Sequence, residues 1–497
     1  MSIYKEFDSI KNLRISLIKK KINVIELFES LLSFIKNDKF NTFLSVDPKL
    51  VIKDAVKIYY EMKFDLYKPL SGIPIAHKDN IITNKNRNTS GSIILSNYMS
   101  PFNASIINIL KNSGAISLGK LNCDEFAMGS DNYNSSFGSV INPKNFTSST
   151  GGSSGGSAAA ISAGYIMGAT GTDTGGSIRQ PASLCGVSSI RPTYGTVSRL
   201  GLISFSSNLD QIGIIAKNIN DLIELLDPIV SFDKCESTSI KSLKFSKNYS
   251  GRIRFDFNYL NHFLKRKSIL PFLGLKIGIP IEFFNFKIDK EILKNIYSAL
   301  KIYENLGAEL LSVSLKSTEF VTPVYYIISS VESYSNLHRY NGIRYGMFKS
   351  RGKNITEMIN TSKKEGFGSE LKSRILFGKY IISKDYYKSH YLQSKIMKKL
   401  ISDDFKKTFS KCNIIISPVT KIVSRNIKKI KKDLDLNSDI FSLGASISGL
   451  PSVSINCGFS DKYSFKMPIG ISIIGNYFSE GLILSMSKYF QKVTGIY

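Results

Sequence analysis

The chain has 497 residues, of which 42% are hydrophobic and 21% are charged, as in a globular protein with a large core. No secretory signal or membrane-spanning apolar run is present, so we expect no membrane association. The five cysteines are scattered without a CxxC pair, which argues against disulfides and structural zinc. This cysteine usage indicates a cytoplasmic location.

The net charge is strongly positive, since 66 Lys and Arg face 39 Asp and Glu, giving 66 − 39 = +27. A charge of this size is typical of proteins that meet nucleic acid or another acidic partner. The basic residues are spread along a chain rich in Lys, Ile and Asn, as an AT-biased coding sequence would produce. RNA contact and coding bias therefore both remain open as explanations.

Hydrophobic periodicity and turn residues predict the secondary structure. In the first half we expect, in order, one or two helices over 5–37, a helix over 54–63, a strand that contains Lys78, a helix over 104–112, a strand over 115–120, a helix over 157–164 and a strand over 168–172. In the second half we expect strands over 275–280, 308–315, 414–419, 453–457 and 469–474, and helices over 290–306 and 480–493.

Two further segments suggest no regular structure. Residues 228–274 are rich in Lys, Ser and Phe and are interpreted as a divergent insertion, and residues 421–432 as a solvated basic loop. Residues 114–120, GAISLGK, mimic a phosphate-binding loop, but Leu121 stands where a hydroxyl must contact magnesium. We therefore predict no nucleotide site there.

The most informative stretch holds two Gly/Ser clusters, at 151–157 and 175–177. Dense glycine lets backbone amides approach a ligand closely. Such runs are often flexible linkers, but here each cluster continues into apolar residues, which a linker does not need. Residues 151–156 also satisfy G-x-S-x-G, yet the chain has only four histidines and no evident acid partner, so a Ser-His-Asp hydrolase is the weaker interpretation.

Residues 151–158, GGSSGGSA, and 171–182, GTDTGGSIRQPA, together resemble the amidase signature. The chain is identified by this resemblance as a member of the amidase signature family. Residues 335–346, SNLHRYNGIRYG, and the block from 366 to 375 are similar to the tRNA-dependent glutaminase subunits of that family.

The resemblance implies an α/β fold, a large mixed twisted sheet flanked by helices on both faces. We expect one amidase signature domain over 1–497. Its parts are a helical amino-terminal segment over 1–65, a catalytic core over about 66–220, the insertion over about 228–274, and the rest of the core over 275–497.

The resemblance also implies the catalytic residues. Ser177 would be the nucleophile, Ser153, preceded by a cis peptide bond, would relay the proton, and Lys78 would be the neutral base. A lysine can act so only if burial lowers its pKa by about 3 units, at about 4 kcal/mol. His77 replaces the apolar residue usual before that lysine, and we interpret it as a tolerated change.

The turn that carries the nucleophile would supply the oxyanion hole. The backbone amides of Thr174, Gly175 and Gly176, with that of Ser177, would stabilise the developing negative charge. Asp173 is expected to hold the loop, together with Arg179, and not to take part in the chemistry.

The family's substrate of this type is free glutamine. Arg374 would bind its carboxylate and Asp439 its ammonium group, and Tyr325 would line the same pocket. Asp439 is assigned by its position twelve residues before Pro451. Ser446, within that segment, stands where the family commonly has an asparagine, so the segment matches the family less closely there.

The implied function is a glutaminase that supplies ammonia through a Ser-Ser-Lys triad. The ammonia would pass to the B subunit of an amidotransferase and convert Glu-tRNA(Gln) to Gln-tRNA(Gln), or also Asp-tRNA(Asn) to Asn-tRNA(Asn). A C subunit is expected in the complex as well, and the sequence leaves its presence open. This chain would need no cofactor or metal, with ATP and magnesium bound by the partner. A free-standing amidase of small amides and a non-catalytic assembly or RNA-binding protein are the alternatives.

Overall fold

The structure, a computed structural model, describes residues 6–241, 270–347, 354–427, 438–461 and 466–497. The strands are β1 (Phe43–Ser45), β2 (Pro74–Lys78), β3 (Ile116–Leu121), β4 (Ile141–Asn142), β5 (Asn145–Ser149), β6 (Gly168–Asp173), β7 (Ser188–Arg191), β8 (Gln211–Ala216), β9 (Lys276–Pro280), β10 (Glu309–Val313), β11 (Ile414–Pro418), β12 (Ser452–Ser460) and β13 (Met467–Gly475).

The α-helices are α1 (Ile10–Ile18), α2 (Val24–Ile35), α3 (Pro48–Lys63), α4 (Ser105–Asn112), α5 (Gly155–Ser162), α6 (Arg179–Cys185), α7 (Ile219–Leu226), α8 (Lys290–Asn305), α9 (Thr318–Leu337), α10 (Ile355–Gly366), α11 (Ser369–Ile381), α12 (Gln393–Phe409), α13 (Ile440–Ile447) and α14 (Glu480–Thr494). Short 3₁₀ turns lie at Ile93–Leu95, Glu125–Ala127 and Ile281–Asn285, and a π-helical turn at Tyr387–Leu392 precedes α12.

One mixed sheet organises the fold. Eleven strands follow the order β1-β3-β2-β6-β8-β7-β12-β13-β11-β9-β10, with parallel pairs among β3, β2 and β6 and among β11, β9 and β10. The other neighbours are antiparallel. Every residue of β2, β6, β7, β8, β11 and β13 is buried, so both faces of the central sheet are covered, as the resemblance implied.

Local sequence explains the early helices. The Asn23 side chain accepts a hydrogen bond from the Ile25 amide and caps α2, and Asp47 caps α3, whose first residue is a proline. Shortly after α1 the chain turns at Lys20, where φ is 54°. The predicted helical region 5–37 is therefore two helices.

The sheet topology sets the position of the site. Strands β2 and β6 are parallel neighbours, and Ile75 pairs with Gly168. Carboxyl ends of parallel strands meet at the same sheet edge, so Lys78 at the end of β2 lies beside the turn that follows β6.

Several sequence predictions need correction. The segment over 1–65, predicted to be helical, also contains β1, which pairs with β3 at the edge of the sheet. Strands β7 and β8 were not predicted, because their short segments mix serine or glycine with isoleucine and carry little β-pattern. The helices between 318 and 409 were also missed.

The proposed insertion over 228–274 is described only at its ends, since 242–269 lie outside the described residues. The first end packs on the core: Val230 pairs with Val197, and the Ile240 amide donates to the Gly195 carbonyl oxygen. The single-domain organisation of the chain stays a prediction.

Candidate active site

Lys78 lies at the carboxyl end of β2 and is fully buried. Its Nζ donates hydrogen bonds to Ser153 Oγ at 2.7 Å and to Thr172 Oγ1 at 2.8 Å. Ser153 is buried as well, and a cis peptide bond joins it to Gly152, as the resemblance implied. The structure thus brings two of the three predicted catalytic residues into direct contact.

The environment of Lys78 suits a base. Burial lowers the pKa of Lys78 to about 8, because a low-dielectric interior disfavours the charged ammonium. Asp124, Asp173 and Asp210 oppose this effect through their negative charge. A pKa of about 8 leaves part of Lys78 neutral at physiological pH, and the neutral amine is the form that accepts a proton.

Ser177 lies in the turn between β6 and α6 and is half-buried. The two Gly/Ser clusters meet here, since the Ser154 amide donates to the Ser177 carbonyl oxygen at 3.1 Å. In the described part of the chain, the Ser177 hydroxyl makes no hydrogen bond. The third predicted catalytic residue therefore lies next to the Ser153 segment with its hydroxyl unengaged.

A buried ionic network holds this turn. Arg179 donates Nε to Asp173 Oδ2 and Nη2 to Oδ1, each at 3.0 Å, and Arg191 Nη1 lies 3.1 Å from Oδ1. Burial opposes ionisation, but the two guanidinium groups hold the pKa of Asp173 well below its usual range. The carboxylate accepts from the amides of Gly176 at 3.0 Å and Ile178 at 3.3 Å. Asp173 and Arg179 thus fix the loop, as expected.

This network modifies the predicted oxyanion hole. The Gly176 amide is already bonded to Asp173, so it does not face a substrate in this structure. Among the residues that the structure describes, the amides of Thr174, Gly175 and Ser177 donate no hydrogen bond. These three amides are the donors left for an oxyanion, and their role stays a prediction.

Helix α13 braces the turn from the other side. The Ser442 hydroxyl donates to the Gly175 carbonyl oxygen at 2.5 Å. Ser446 accepts from Arg179 Nη2 at 2.6 Å and donates to Asp173 Oδ1 at 3.2 Å. Ser446, the residue that departs from the family's usual asparagine, therefore belongs to the network that fixes the turn.

The predicted substrate residues surround the turn. A Cβ built on Gly175 would lie only 2.9 Å from Cζ of Tyr325, so that ring packs directly on the loop. On α11, the Arg374 guanidinium lies 4.2 Å from the centre of the Tyr326 ring, and its Nε donates to Glu370 Oε1 at 2.9 Å. Within the described ranges, the buried Nη1 of Arg374 has no hydrogen-bond partner.

Asp439 precedes α13, and its Oδ2 accepts a hydrogen bond from Ser130 Oγ at 2.5 Å. Burial raises the pKa of Asp439 to about 6, although Ser130 and Arg425 oppose the shift.

Burial also raises the pKa of Tyr325, on which the charges of both Arg374 and Asp439 act. Tyr325 is half-buried, and its ring centre lies 5.5 Å from that of Tyr326, on which Arg374 stacks. Asp439 is the N-cap residue of α13, the helix whose Ser442 hydroxyl donates to the Gly175 carbonyl oxygen, so a cation and an anion both lie near the Ser177 turn.

Some residues at this site escaped sequence reasoning. Thr172 and Ser130 carry no recognisable motif in the sequence, and they acquire their hydrogen-bond partners only in the fold. Tyr326 could have been proposed, because it is adjacent in sequence to Tyr325, which was assigned to the pocket. Arg425 was placed in the solvated loop 421–432, but its Nη1 pairs with Asp131 at 2.7 Å beside Asp439. The solvated-loop interpretation is wrong for Arg425, and 428–432 lie outside the described residues.

His77 lies on the strand face opposite to Lys78. Its Nδ1 is 3.2 Å from Thr170 Oγ1, and it borders an open cavity with Lys85. Burial and the nearby charge of Lys120 lower the pKa of His77 to about 3, so the ring is neutral. This placement supports a tolerated substitution.

Two kinds of feature are absent from the described residues. No group of three or more His, Cys, Asp or Glu side chains there could hold a metal ion. Nor is any helix in those ranges long and apolar enough to span a membrane.

Comparison with known proteins shows the family. The Amidase family model matches residues 26–484. The chain belongs to the amidase family. This amidase is 44% identical to the glutamyl-tRNA(Gln) amidotransferase A subunit of Bordetella avium, over 99% of this chain and 97% of the relative. A relative of the same name from Janthinobacterium sp. is 44% identical over 98% of this chain and 97% of its own length.

Solved structures agree. A glutamyl-tRNA(Gln) amidotransferase A subunit from Thermotoga maritima has a TM-score of 0.74 and 32% identity, covering 94% of this amidase and 91% of that chain. A peptide amidase from Stenotrophomonas maltophilia has a TM-score of 0.80 and 23% identity, covering 99% of this amidase and 98% of that chain. At this lower identity, the likeness to the peptide amidase shows the fold alone.

Proposed function

We propose that this amidase is the glutamine-hydrolysing subunit of a glutamyl-tRNA(Gln) amidotransferase. Relatives of that name match nearly the whole chain at 44% identity. The observation that carries the proposal is that two opposite charges lie near the Ser177 turn: Arg374 stacks on Tyr326 beside Tyr325, which packs on Gly175, and Asp439 is the N-cap residue of the helix that braces Gly175. A free amino acid needs both charges, whereas a simple amide needs neither.

The reaction would begin with proton transfer from Ser177 through Ser153 to neutral Lys78. Ser177 Oγ would then attack the side-chain amide carbon of glutamine, and the amides of Thr174 and Gly175, with that of Ser177, would stabilise the oxyanion. Return of the proton to the leaving nitrogen would release ammonia and leave a glutamyl ester on Ser177. Water, activated by the same relay, would hydrolyse this ester to glutamate and restore the serine.

Substrate recognition would use opposite charges. The unpartnered Nη1 of Arg374 would bind the α-carboxylate of glutamine, and stacking on Tyr326 with the Glu370 contact would hold the guanidinium in place. Asp439 would bind the α-ammonium group, which would favour ionisation of its carboxyl. Tyr325 would separate the two contacts and line the amino-acid pocket.

The ammonia would be used on partner subunits. The relatives are each named as the A subunit of an amidotransferase, which supports a hetero-oligomer, and we infer that this chain assembles with the B and C subunits. ATP and magnesium would be bound by the partner, which would activate Glu-tRNA(Gln), or also Asp-tRNA(Asn), in the cytoplasm. This chain would contribute the glutaminase and no cofactor.

The test is glutaminase activity of the purified chain, alone and with its partner subunits and charged tRNA. We expect glutamine-dependent ammonia release that rises with partners and disappears in Ser177→Ala. Arg374→Gln should raise KM for glutamine at least about tenfold and leave hydrolysis of a neutral amide such as propionamide unchanged.

The other two functions predict different results. Efficient hydrolysis of propionamide by the wild type, with no preference for glutamine, would indicate a free-standing amidase. Full ammonia release by Ser177→Ala would show that the nucleophile is another residue. Amidation that survives Ser177→Ala with external ammonia excluded would indicate an assembly or RNA-binding role.

A further inference from the structure

Asn80 lies two residues after Lys78, just beyond the carboxyl end of β2, and is 2% exposed. Its Nδ2 donates a hydrogen bond to Thr172 Oγ1 at 3.0 Å, the same oxygen that accepts from Lys78 Nζ at 2.8 Å. In the part of the chain that the structure describes, the Asn80 amide makes no other hydrogen bond, and its buried Oδ1 has no partner. The side chain is therefore directed to one hydroxyl group, and that hydroxyl contacts the base.

The Asn80 amide contributes little to the stability of its segment. A buried amide oxygen without a donor costs more free energy than one neutral hydrogen bond contributes, and an apolar side chain at this position would avoid that cost. The backbone is held separately, because the Asn80 carbonyl oxygen accepts from the Ile203 amide at 2.8 Å. What the amide group does is therefore found at its one partner, Thr172.

The contacts of Lys78 show what the Thr172 hydroxyl does. Lys78 Nζ has three oxygen neighbours: Ser153 Oγ at 2.7 Å, Thr172 Oγ1 at 2.8 Å and the Thr172 carbonyl oxygen at 3.4 Å. A neutral amine has two N–H groups and one lone pair. When the two oxygens of Thr172 accept the N–H groups, the lone pair is left facing Ser153, which is the orientation that takes a proton from the Ser153 hydroxyl.

The Asn80 amide holds the movable part of this arrangement. A threonine oxygen has two lone pairs, and the Asn80 N–H occupies one of them, so the other is available to Lys78. The Thr172 carbonyl group is fixed in β6, where its oxygen also accepts from Ser154 Oγ at 3.2 Å. The hydroxyl, in contrast, turns with its side chain, and Asn80 is the neighbour that holds it toward Lys78.

We propose that Asn80 is a positioning residue for glutamine hydrolysis, which orients the Lys78 amine toward Ser153 through the Thr172 hydroxyl. This inference rests on the proposed function, since it assumes that Lys78 is the base of that reaction. It adds Asn80 and Thr172 to the groups on which the rate depends.

A double-mutant cycle tests the proposal on the chain assembled with its partner subunits. Asn80→Ala, Thr172→Val and the combined variant are compared with the wild type in glutamine hydrolysis. We expect each single variant to lower kcat at least about tenfold and to change KM less than about twofold. Because Asn80 acts through the hydroxyl, the combined variant should lose no more than Thr172→Val alone.

The pH profile of kcat/KM distinguishes positioning from a structural role. The charge of the ammonium form orients the Thr172 hydroxyl by itself, whereas the neutral amine depends on Asn80. Asn80→Ala should therefore move the midpoint to higher pH, and Thr172→Val, which removes an acceptor from the ammonium, should move it to lower pH. Cys123, Asp124, Asp173 and Asp210 also act on Lys78, and they are the same in both variants.

Two control variants separate the effect from general damage to the fold. Asn218, which is 6% exposed, caps α7 by accepting from the Asp221 amide at 2.9 Å. Asn218→Ala should lower the free energy of unfolding in urea and leave kcat and the pH profile unchanged. Thr172→Ser keeps the hydroxyl and should keep kcat within about threefold of the wild type.

Losses that multiply in the combined variant would overturn the inference, because Asn80 would then act without Thr172. A wild-type kcat in Asn80→Ala would overturn it too, as would a fall in kcat with an unshifted pH profile. Ser177→Ala keeps the two proposals apart, since it should abolish hydrolysis whatever Asn80 does. Hydrolysis that survives Ser177→Ala counts against the proposed function, whereas multiplying losses beside an inactive Ser177→Ala count against the role of Asn80 alone.

Discussion

At the scale of single residues, two buried lysines show how contacts decide chemistry. Lys120 lies 3.2 Å from Asp79 Oδ1 and donates to Asn88 Oδ1 at 2.7 Å, so a carboxylate neutralises its charge. Lys78 donates to the hydroxyls of Ser153 and Thr172 and contacts no carboxylate among the described residues. Burial lowers the pKa of both, but only Lys120 has an ion-pair partner that favours the ammonium. Lys78 is therefore the one suited to be a base.

The pH dependence of hydrolysis should report this base. Because burial lowers the pKa of Lys78 to about 8 and the neutral amine is the active form, kcat/KM for glutamine should rise with pH through about 8. The measurement is ammonia release from pH about 6.5 to about 9.5, with glutamine well below KM. His77→Val should leave the profile unchanged, since His77 lies on the opposite face of β2.

Two results would contradict this assignment. One is a profile that stays flat across this range, and the other is a Lys78→Met variant with wild-type activity. Lys78→Met removes the amine and retains the apolar stem, so we expect a loss of about 100-fold to 10,000-fold in kcat.

At the scale of elements, the start of α11 is tied to the catalytic core. Glu125 accepts from the Gly368 amide at 2.8 Å, immediately before α11, and from Ser92 Oγ at 2.5 Å. Burial raises the pKa of Glu125 to about 7, although both hydrogen bonds oppose the shift. One buried side chain thus positions the helix that carries Arg374.

Removing this anchor should affect binding more than chemistry. Glu125→Ala should raise KM for glutamine about tenfold and change kcat less, because Arg374 shifts while the triad keeps its contacts. Steady-state kinetics measure the split, and Glu365→Ala, an exposed acid on α10, is the control. A large fall in kcat at constant KM would mean that Glu125 acts on the reacting groups.

At the scale of the whole molecule, helix α14 is joined to a distant segment of the chain by a buried carboxyl group. Glu480, the first residue of α14, accepts from the Thr193 amide at 2.7 Å, and its buried Oε2 has no hydrogen-bond partner among the described residues. Burial raises the pKa of Glu480 to about 7. The folded state therefore holds this proton more tightly than the unfolded state, where the pKa is about 4.5.

The raised pKa of Glu480 makes the free energy of unfolding depend on pH, and the direction of that dependence follows from the shift. A raised carboxyl pKa gives stability that is fully present below about pH 4.5 and is lost as pH rises through about 7. Glu480→Gln cannot ionise, so its free energy of unfolding should increase relative to the wild type across this window, by up to about 3 kcal/mol. Urea unfolding at both ends of the window measures it. A difference that does not change with pH would contradict a raised pKa.

Sequence reasoning reached the local parts of the site. Ser153 and Ser177 lie in two Gly/Ser turns, and Asp173 ends the strand before the second of them, so the long signature that these segments form with their neighbours places them in the family's pattern. Arg374 and Asp439 are far apart in sequence and could be proposed only through resemblance. The Gly176 amide was assigned to the oxyanion hole because no pattern in the sequence shows that Asp173 already accepts from it.

The sequence by itself determined the family, because the two long signature segments are properties of neighbouring positions, and through that resemblance it implied the mixed α/β fold and the candidate catalytic residues. The tertiary structure alone decided the partners of Lys78, the network around Asp173, the Glu125 anchor and the contact between Asn80 and Thr172. These depend on contacts between distant segments, and burial is what makes each contact matter. A hydroxyl or a carboxylate acquires its pKa and its hydrogen bonds only when the fold removes water from around it.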